Sequence, residues 1–243
     1  MRAKDEAWHA LLKGILTDGD GFGSSDLGQG NPVNVEYVSA NPTGPLHLGH
    51  ARGAVVGDVM AALLAKVGFG VTREYYINDG GAQVDVLARS VYLRYQEAHG
   101  QKVAFEDGTY PGDYLIEVGQ ALKEKVGDAY LDQDESVWLQ EVREYSTEAM
   151  MNLIREDLLA LGVKMDHFYS EKSLYGTGQI EAALADLDEK GLIYQGYLEP
   201  PKGKLPEDWE AREQTLFRST AHGDDVDRPV KKSDGSWTYF APD

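Results

Sequence analysis

Apolar and polar positions in this chain follow two periods in turn. Residues 33–39, V-N-V-E-Y-V-S, set β-branched and aromatic side chains against polar ones, the period-two pattern of a strand. Apolar residues then recur at Ala51, Ala54, Val55, Val56, Val59, Met60, Leu63, Leu64 and Val67, a helical spacing that Gly68 stops. Residues 71–77 read as a second strand, 82–96 as a helix, 113–126 as another, and 135–161 as a long one. In that long helix Val137, Val142, Tyr145, Ala149, Leu153, Leu158 and Leu161 are expected to face inward. A third short strand falls at 166–170 and a helix at 179–190, stopped by Gly191. Ahead of all this, Trp8, Leu11, Leu12 and Ile15 mark a short amphipathic helix over 5–16. Strand, helix, strand in succession predicts an α/β architecture: a parallel sheet with helices on both faces. Strands 33–39, 71–77, 166–170 and a last one at 237–241 are its expected members.

The breaks between these patterns suggest a domain layout. Residues 1–32 comprise the first helix and a glycine-rich, acidic linker. Asp18-Gly19-Asp20-Gly21 hints at a calcium loop, but no closing glutamate follows. No G-x-G-x-x-G lies between a strand and a helix here, so dinucleotide binding is rejected. Residues 33–191 form the first part of a sheet domain with a helical excursion over 100–162. From 192 the character changes: short β-prone runs at 192–197, 214–219, 229–232 and 237–240 are divided by a Pro-Pro-Lys-Gly-Lys-Leu-Pro stretch, Gly-Asp-Asp and Asp234-Gly235. Asp-Gly between two such runs is a hairpin signal. Residues 192–236 are therefore read as a β-rich insertion, and 237–243 as a strand returning to the sheet domain.

Candidate chemistry concentrates between the first strand and the helix after it. Asn41-Pro42-Thr43-Gly44-Pro45 must be a loop, and His47-Leu48-Gly49-His50 stands at the helix entrance. A helix entrance offers free backbone N–H groups and the positive end of the helix dipole, which suits phosphate. Gly49 permits close approach of a ligand, while His47 and His50 add side-chain donors. Taken alone, two histidines three apart also fit a solvated first turn. A zinc site would need more ligands; there is no H-E-x-x-H and no cysteine.

Bulk properties narrow the class. The 243 residues carry a net charge of −18, which argues against a general nucleic-acid binder. Positive charge is scattered, with Lys202, Lys204, Lys231 and Lys232 the nearest approach to a patch. The absence of cysteine excludes a disulfide framework and thiolate chemistry. No signal peptide and no apolar span approaching 18 residues is read from the sequence, so the expectation is a cytoplasmic chain with no membrane partner.

The block around His47-Leu48-Gly49-His50 resembles the HIGH signature of class I aminoacyl-tRNA synthetases. Glu36-Tyr37-Val38-Ser39-Ala40-Asn41-Pro42-Thr43-Gly44-Pro45 before it looks like the arginyl-tRNA synthetase version. Y-I-N-D-G-G-A-Q, T-L-F-R-S-T, G-D-D-V-D-R and K-K-S-D-G are similar to the same family. The resemblance implies a Rossmann-like (HUP-type) catalytic domain that activates L-arginine with ATP and passes the arginyl group to tRNA(Arg). It implies catalytic roles for His47 and His50, and ATP contacts from Pro45, His47, Gly49 and His50. It places Glu36, Ser39, Asn41, His50, Tyr239 and Asp243 around arginine. Mg2+ would arrive with ATP, and no protein-bound metal is implied. Lys231-Lys232-Ser233 is read as a hairpin edge rather than the second class I signature. Asp79 and Gln83 fit either the site or a polar turn. The resemblance covers nearly the whole chain, yet the chain covers only a middle portion of the family, including the first half of the catalytic domain. The chain alone is accordingly expected to be inactive, and the full-length enzyme to be a monomer. Two rivals remain: another H-x-G-H nucleotidylyltransferase, which leaves the arginine-type block unexplained, and a non-catalytic ligand-binding module.

Overall fold

The alternation of exposed and half-buried residues in the first strand sets the frame for a parallel sheet. The computed structural model describes residues 4–198 and 212–242. Lys202, Lys204, the proline-rich run 200–206 and Asp243 lie outside the described residues. The chain divides into two compact units, one of residues up to Ile77 with Val86–Tyr169, the other of Asn78–Asp85 with Ser170 onward.

The first unit opens with helix α1 (Asp5–Asp18), followed by β1 (Pro32–Glu36), α2 (Leu48–Lys66) and β2 (Gly70–Ile77). After β2 come α3 (Gln83–Ala98), α4 (Tyr114–Val126), α5 (Glu135–Ala160) and β3 (His167–Ser170). Strands β1 and β2 pair in parallel with Val33 opposite Val71 and Glu36 opposite Glu74, and the sheet order is β1-β2-β3. The α2 crossover between two parallel neighbours is the βαβ unit read from the sequence. Asp166, just before β3, is fixed to β2 in both directions: its N–H donates to the Arg73 carbonyl at 2.9 Å, and Arg73 N–H donates to its carboxylate at 2.8 Å. β1 is shorter than expected, because Val38 (φ 68°) and Ser39 (φ 41°) leave the extended region.

Two apolar clusters hold this unit. Tyr37, Ala54, Tyr75 and Ile77 pack with Met151 and Ile154 of α5. Leu87, Val91, Tyr95, Leu115 and Val142 form the other cluster, in which Tyr92 stacks on Trp138 at 3.8 Å and 5°. The inward face of α5 is as expected at Val142 and Leu158, which are buried, and at Tyr145, Ala149 and Leu153, which pack against a core cluster, but not at its two ends. Val137 (52%) and Leu161 (50%) are exposed, while Trp138, Met150, Met151 and Ile154 are buried. This 26-residue helix serves the two clusters in turn, so its buried stripe is set by two partners rather than one.

Helix α2 also departs from expectation. Its buried residues are the small ones, Ala54, Gly57 and Ala61, whereas Val55, Val56, Val59, Met60 and Leu63 are 52–60% exposed. Small residues face the sheet because Tyr37 takes the space: a Cβ on Gly57 would lie 2.3 Å from the Tyr37 ring. The helix is apolar on most sides, and by length and composition it could cross a membrane, with a mean hydropathy of 1.2 over 18 residues. That corrects the sequence reading, which found no such span. Asp58 sits mid-helix and accepts from the Tyr37 hydroxyl at 3.2 Å.

In the second unit a 3-10 turn (Glu171–Leu174) and helix α6 (Gln179–Glu189) precede an antiparallel sheet. Its strands are β4 (Ile193–Gly196), β5 (Gln214–Phe217) and β6 (Arg228–Lys231), in that order, with a register irregularity between Thr215 and Leu216. The strand expected at 237–241 does not join the parallel sheet. Gly235 (φ 86°) turns the chain back onto β6, where Trp237 bridges Lys231 antiparallel and Thr238 N–H donates to the Val230 carbonyl at 3.1 Å. The Asp-Gly hairpin, legible in the sequence, captures these residues first.

Gly57→Ala tests the packing against β1 by the sign of its effect. Helix propensity alone favours alanine by about 1 kcal/mol, but overpacking of the Tyr37 ring costs about 1–3 kcal/mol. A lower denaturation midpoint is expected for Gly57→Ala, and no more than about 0.5 kcal/mol of change for Val59→Lys on the exposed face. Denaturant titration monitored by circular dichroism measures both.

Candidate active site at the entrance of helix α2

Glu36 ends β1 with its side chain exposed, and the next eleven residues carry the chain to the start of α2. That connection is tied down by groups from distant parts of the first unit. The buried Tyr75 hydroxyl donates to the Ala40 carbonyl at 2.8 Å, and burial pushes its pKa up, so it stays a protonated donor. Tyr114 on α4 donates to the Thr43 carbonyl at 2.8 Å. Leu46 N–H donates to the Asp157 carboxylate on α5 at 3.2 Å. Ser39 Oγ donates to Glu36 Oε1 at 2.5 Å while accepting from Tyr76 N–H on β2 at 3.1 Å. A loop with buried Ala40 and Pro42 thereby places its backbone polar groups without a ladder.

The loop delivers two histidines to the helix start in a reciprocal cap. His47 is the N-cap (φ −131°, ψ 174°); its Nδ1 accepts from Gly49 N–H at 3.1 Å. In return His50 Nδ1 accepts from His47 N–H at 3.3 Å. The arrangement is the capping-box logic with imidazoles in place of hydroxyl and carboxylate. The rings stack with centroids 3.7 Å apart at 21°. An accepting Nδ1 carries no hydrogen, so each neutral ring holds its proton on Nε2. The result is a pair of Nε2–H donors at a helix N-terminus. Burial, and then the neighbouring His47, lower the His50 pKa below its ordinary value and favour that neutral form. Gly49 leaves little room for a side chain: a Cβ there would sit 2.8 Å from the His47 ring.

The residues singled out from the sequence do not all come together. Glu36 and Ser39 are hydrogen-bonded to each other, and His47, Gly49 and His50 form the cap. Asn41 and Pro45 are exposed on the loop between them. Tyr239 belongs to the second unit and is 65% exposed; Asp243 lies outside the described residues. Asp79 accepts from Ser170 Oγ at 2.6 Å and from Lys172 N–H at 2.8 Å, and Gln83 donates to the Asn78 carbonyl at 3.2 Å. These bonds give both residues a structural task in the second unit. Sequence reasoning missed Tyr75, Tyr114 and Asp157, which hold the loop. Their positions, up to 111 residues from their partners, carry no local signal.

Comparison with known proteins gives three findings. The family model described as "tRNA synthetases class I (R), catalytic domain" matches residues 12–194. "Arginine--tRNA ligase" from Jannaschia sp. (strain CCS1) is 72% identical over all 243 residues, and that from Ruegeria pomeroyi 73% identical over 236 residues, 97% of the chain. The chain spans 42% and 41% of those relatives, about two fifths of their length. A crystal structure titled as a putative arginyl tRNA synthetase from Campylobacter jejuni superposes with a TM-score of 0.80 at 30% identity, covering 99% of this chain and 49% of that one.

The cap predicts a pH signature. In the folded state His50 resists protonation relative to an unfolded pKa near 6.5, so stability is full above that pH and declines as pH falls below it toward the lowered folded value. The melting temperature of the wild-type chain is expected to fall over that window more steeply than that of His50→Gln, whose amide oxygen still accepts from His47 N–H. Thermal melts across a pH series measure the difference.

Proposed function

The chain belongs to the class I (R) tRNA synthetase catalytic-domain family, and from that membership we propose that it supplies the ATP- and arginine-handling part of an arginine--tRNA ligase. The whole enzyme activates L-arginine by attack of its carboxylate on the ATP α-phosphate, expels pyrophosphate, and transfers the arginyl group to tRNA(Arg). Mg2+ enters with ATP as part of the substrate. The enzyme works in the cytoplasm as a monomer.

The observation that carries this reading is the twin-histidine cap at the entrance of α2, with two Nε2–H donors at the positive end of a helix. Phosphoryl transfer needs no protein nucleophile. It is accelerated by placing donors where negative charge develops. His47 and His50 meet the phosphates as Nε2–H donors, Gly49 and Pro45 shape the approach, and the helix dipole adds to the field. A fixed cap also means that these donors need no reorganisation during the reaction.

Glu36 takes the guanidinium of arginine. A guanidinium stays protonated and favours planar carboxylate partners, so an exposed glutamate at the carboxyl end of a parallel strand suits the task. Asn41 and His50 hold the amino-acid end near the phosphates.

In a complete ligase carrying this sequence, His47→Ala and His50→Ala are each expected to lower the maximal rate of arginine-dependent ATP–pyrophosphate exchange roughly a hundredfold, the scale for loss of one positioned donor. The arginine KM should change by less than about threefold. Exchange kinetics indistinguishable from wild type in both variants would remove the histidines from the chemistry.

A further inference from the structure

The short span that leads into the histidine cap is held from two sides. Thr43 N–H donates to the Asn41 carbonyl at 2.8 Å, and the Thr43 carbonyl accepts from the Tyr114 hydroxyl at 2.8 Å. Further on, Leu46 N–H donates to the Asp157 carboxylate at 3.2 Å, while the Leu46 side chain packs against the cluster around Tyr37 and Ile154. One prong is a donor from α4 and the other an acceptor from α5. Between them they orient the peptide groups on either side of Gly44 and Pro45, and the cap residue His47 follows directly.

Each prong is rooted in a different part of the core. Tyr114 opens α4 and packs against the cluster of Leu87, Tyr95 and Leu115. Its ring reaches the loop because two glycines leave room: a Cβ on Gly44 would lie 3.1 Å from the hydroxyl, and one on Gly112 would collide with the ring. Burial, then the neighbouring Tyr110, push the Tyr114 pKa up, so the hydroxyl stays a donor. Asp157 is flanked along α5 by Ile154 and Leu158, both buried in the other cluster. Since α5 carries buried residues of both clusters, one close-packed body sets both prongs.

We propose that Tyr114 and Asp157 are positioning residues for the activation step, acting through residues 43–46 to hold His47 and His50 in place without touching substrate themselves. The proposal rests on the reading of those histidines as phosphate donors. The reciprocal cap aligns the two imidazoles with each other and with α2. It does not align them with the strand end that the loop leaves, and that second alignment comes from the two prongs. Donors aimed at developing charge lose their effect steeply with displacement, and a misplacement of about 1 Å costs about a hundredfold in rate. Glu36 lies on β1 ahead of the clamped span, so loosening that span leaves it where it is.

Exchange kinetics in a complete ligase carrying this sequence, with tRNA present, test it. Tyr114→Phe, which removes only the hydroxyl, and Asp157→Ala are each expected to lower the maximal rate of arginine-dependent ATP–pyrophosphate exchange about tenfold, the scale of one lost hydrogen bond. The KM values for arginine and ATP should stay within about twofold of wild type. Asp157→Asn keeps an oxygen that accepts from Leu46 N–H and should recover most of the rate. Leu122→Ala, buried in the core further along α4, is the packing control: it should lower the melting temperature at least as far and leave the rate within about twofold. A rate loss in Leu122→Ala equal to that in Tyr114→Phe would overturn the proposal, because general loosening would then explain both. No recovery in Asp157→Asn, or a raised arginine KM as the main effect, would also overturn it. Wild-type rates in Tyr114→Phe and Asp157→Ala beside impaired His47→Ala and His50→Ala would overturn the proposal alone. Wild-type rates in the two histidine variants would overturn the histidine reading and the proposal with it.

Discussion

The contact between Tyr37 and Gly57 governs the geometry of the first unit. The ring occupies the place a side chain would fill on α2, which lets the helix approach the strand end closely. The hydroxyl donates to Asp58 one residue on, and the Asp58 carboxylate also lies 3.6 Å from the Arg73 guanidinium on β2. Burial, then the Asp58 charge, push the Tyr37 hydroxyl up to about 12, so it remains a donor across the physiological range. One aromatic side chain thus ties the end of β1, the middle of α2 and β2 together. Since α2 is a rigid rod, fixing its middle fixes its entrance.

What lies between these anchors is a loop with almost no freedom. The Ala40 and Thr43 carbonyls and the Leu46 N–H are each satisfied by a side chain from another element, two of them tyrosines. Such bonds contribute only about 1 kcal/mol each, but losing one strands a backbone group in a half-buried place. The site therefore relies on α4 and α5, which carry Tyr114 and Asp157. The helical excursion orders the loop that presents the two histidines.

Much of this was legible in the chain because the signals were local. The strand–loop–helix unit, the parallel partner at 71–77 and the hairpin at Asp234-Gly235 all follow from periodicity and turn chemistry. The residues from Glu36 to His50 were identifiable because the helix entrance, the glycine and the histidines are contiguous. The misreadings arise where a side chain's direction depends on remote partners. Which face of α2 is buried was decided by Tyr37, so large apolar residues that looked like a core stripe ended outside. The run at 237–241 has the composition of a sheet strand, but the adjacent hairpin offers it a nearer partner at far lower loop-closure cost than a distant sheet. Left-handed Val38 and Ser39 were invisible, since nothing in Val-Ser announces a positive φ.

A net charge of −18 looks hostile to a site proposed to take ATP and tRNA. The field at a site is local, however. At physiological ionic strength charges farther than about 8 Å are largely screened, so most of the acidic surface contributes little at the entrance of α2. There the first turn carries no acidic residue, and the groups proposed to meet an anion are backbone N–H, the helix dipole and two imidazole Nε2–H donors. A neutral donor has a further advantage in an acidic protein. It does not have to be protonated against a lowered pKa, so its hydrogen is available at neutral pH. The same charge balance works in favour of a cationic ligand at Glu36, where Glu74 stands as cross-strand neighbour. One strand end thus separates two opposite preferences over about a dozen residues: carboxylates where the chain leaves β1, and uncharged donors where it enters α2. The proposed placement of a cation and a polyanion side by side relies on that spatial ordering of charge rather than on the sign of the total.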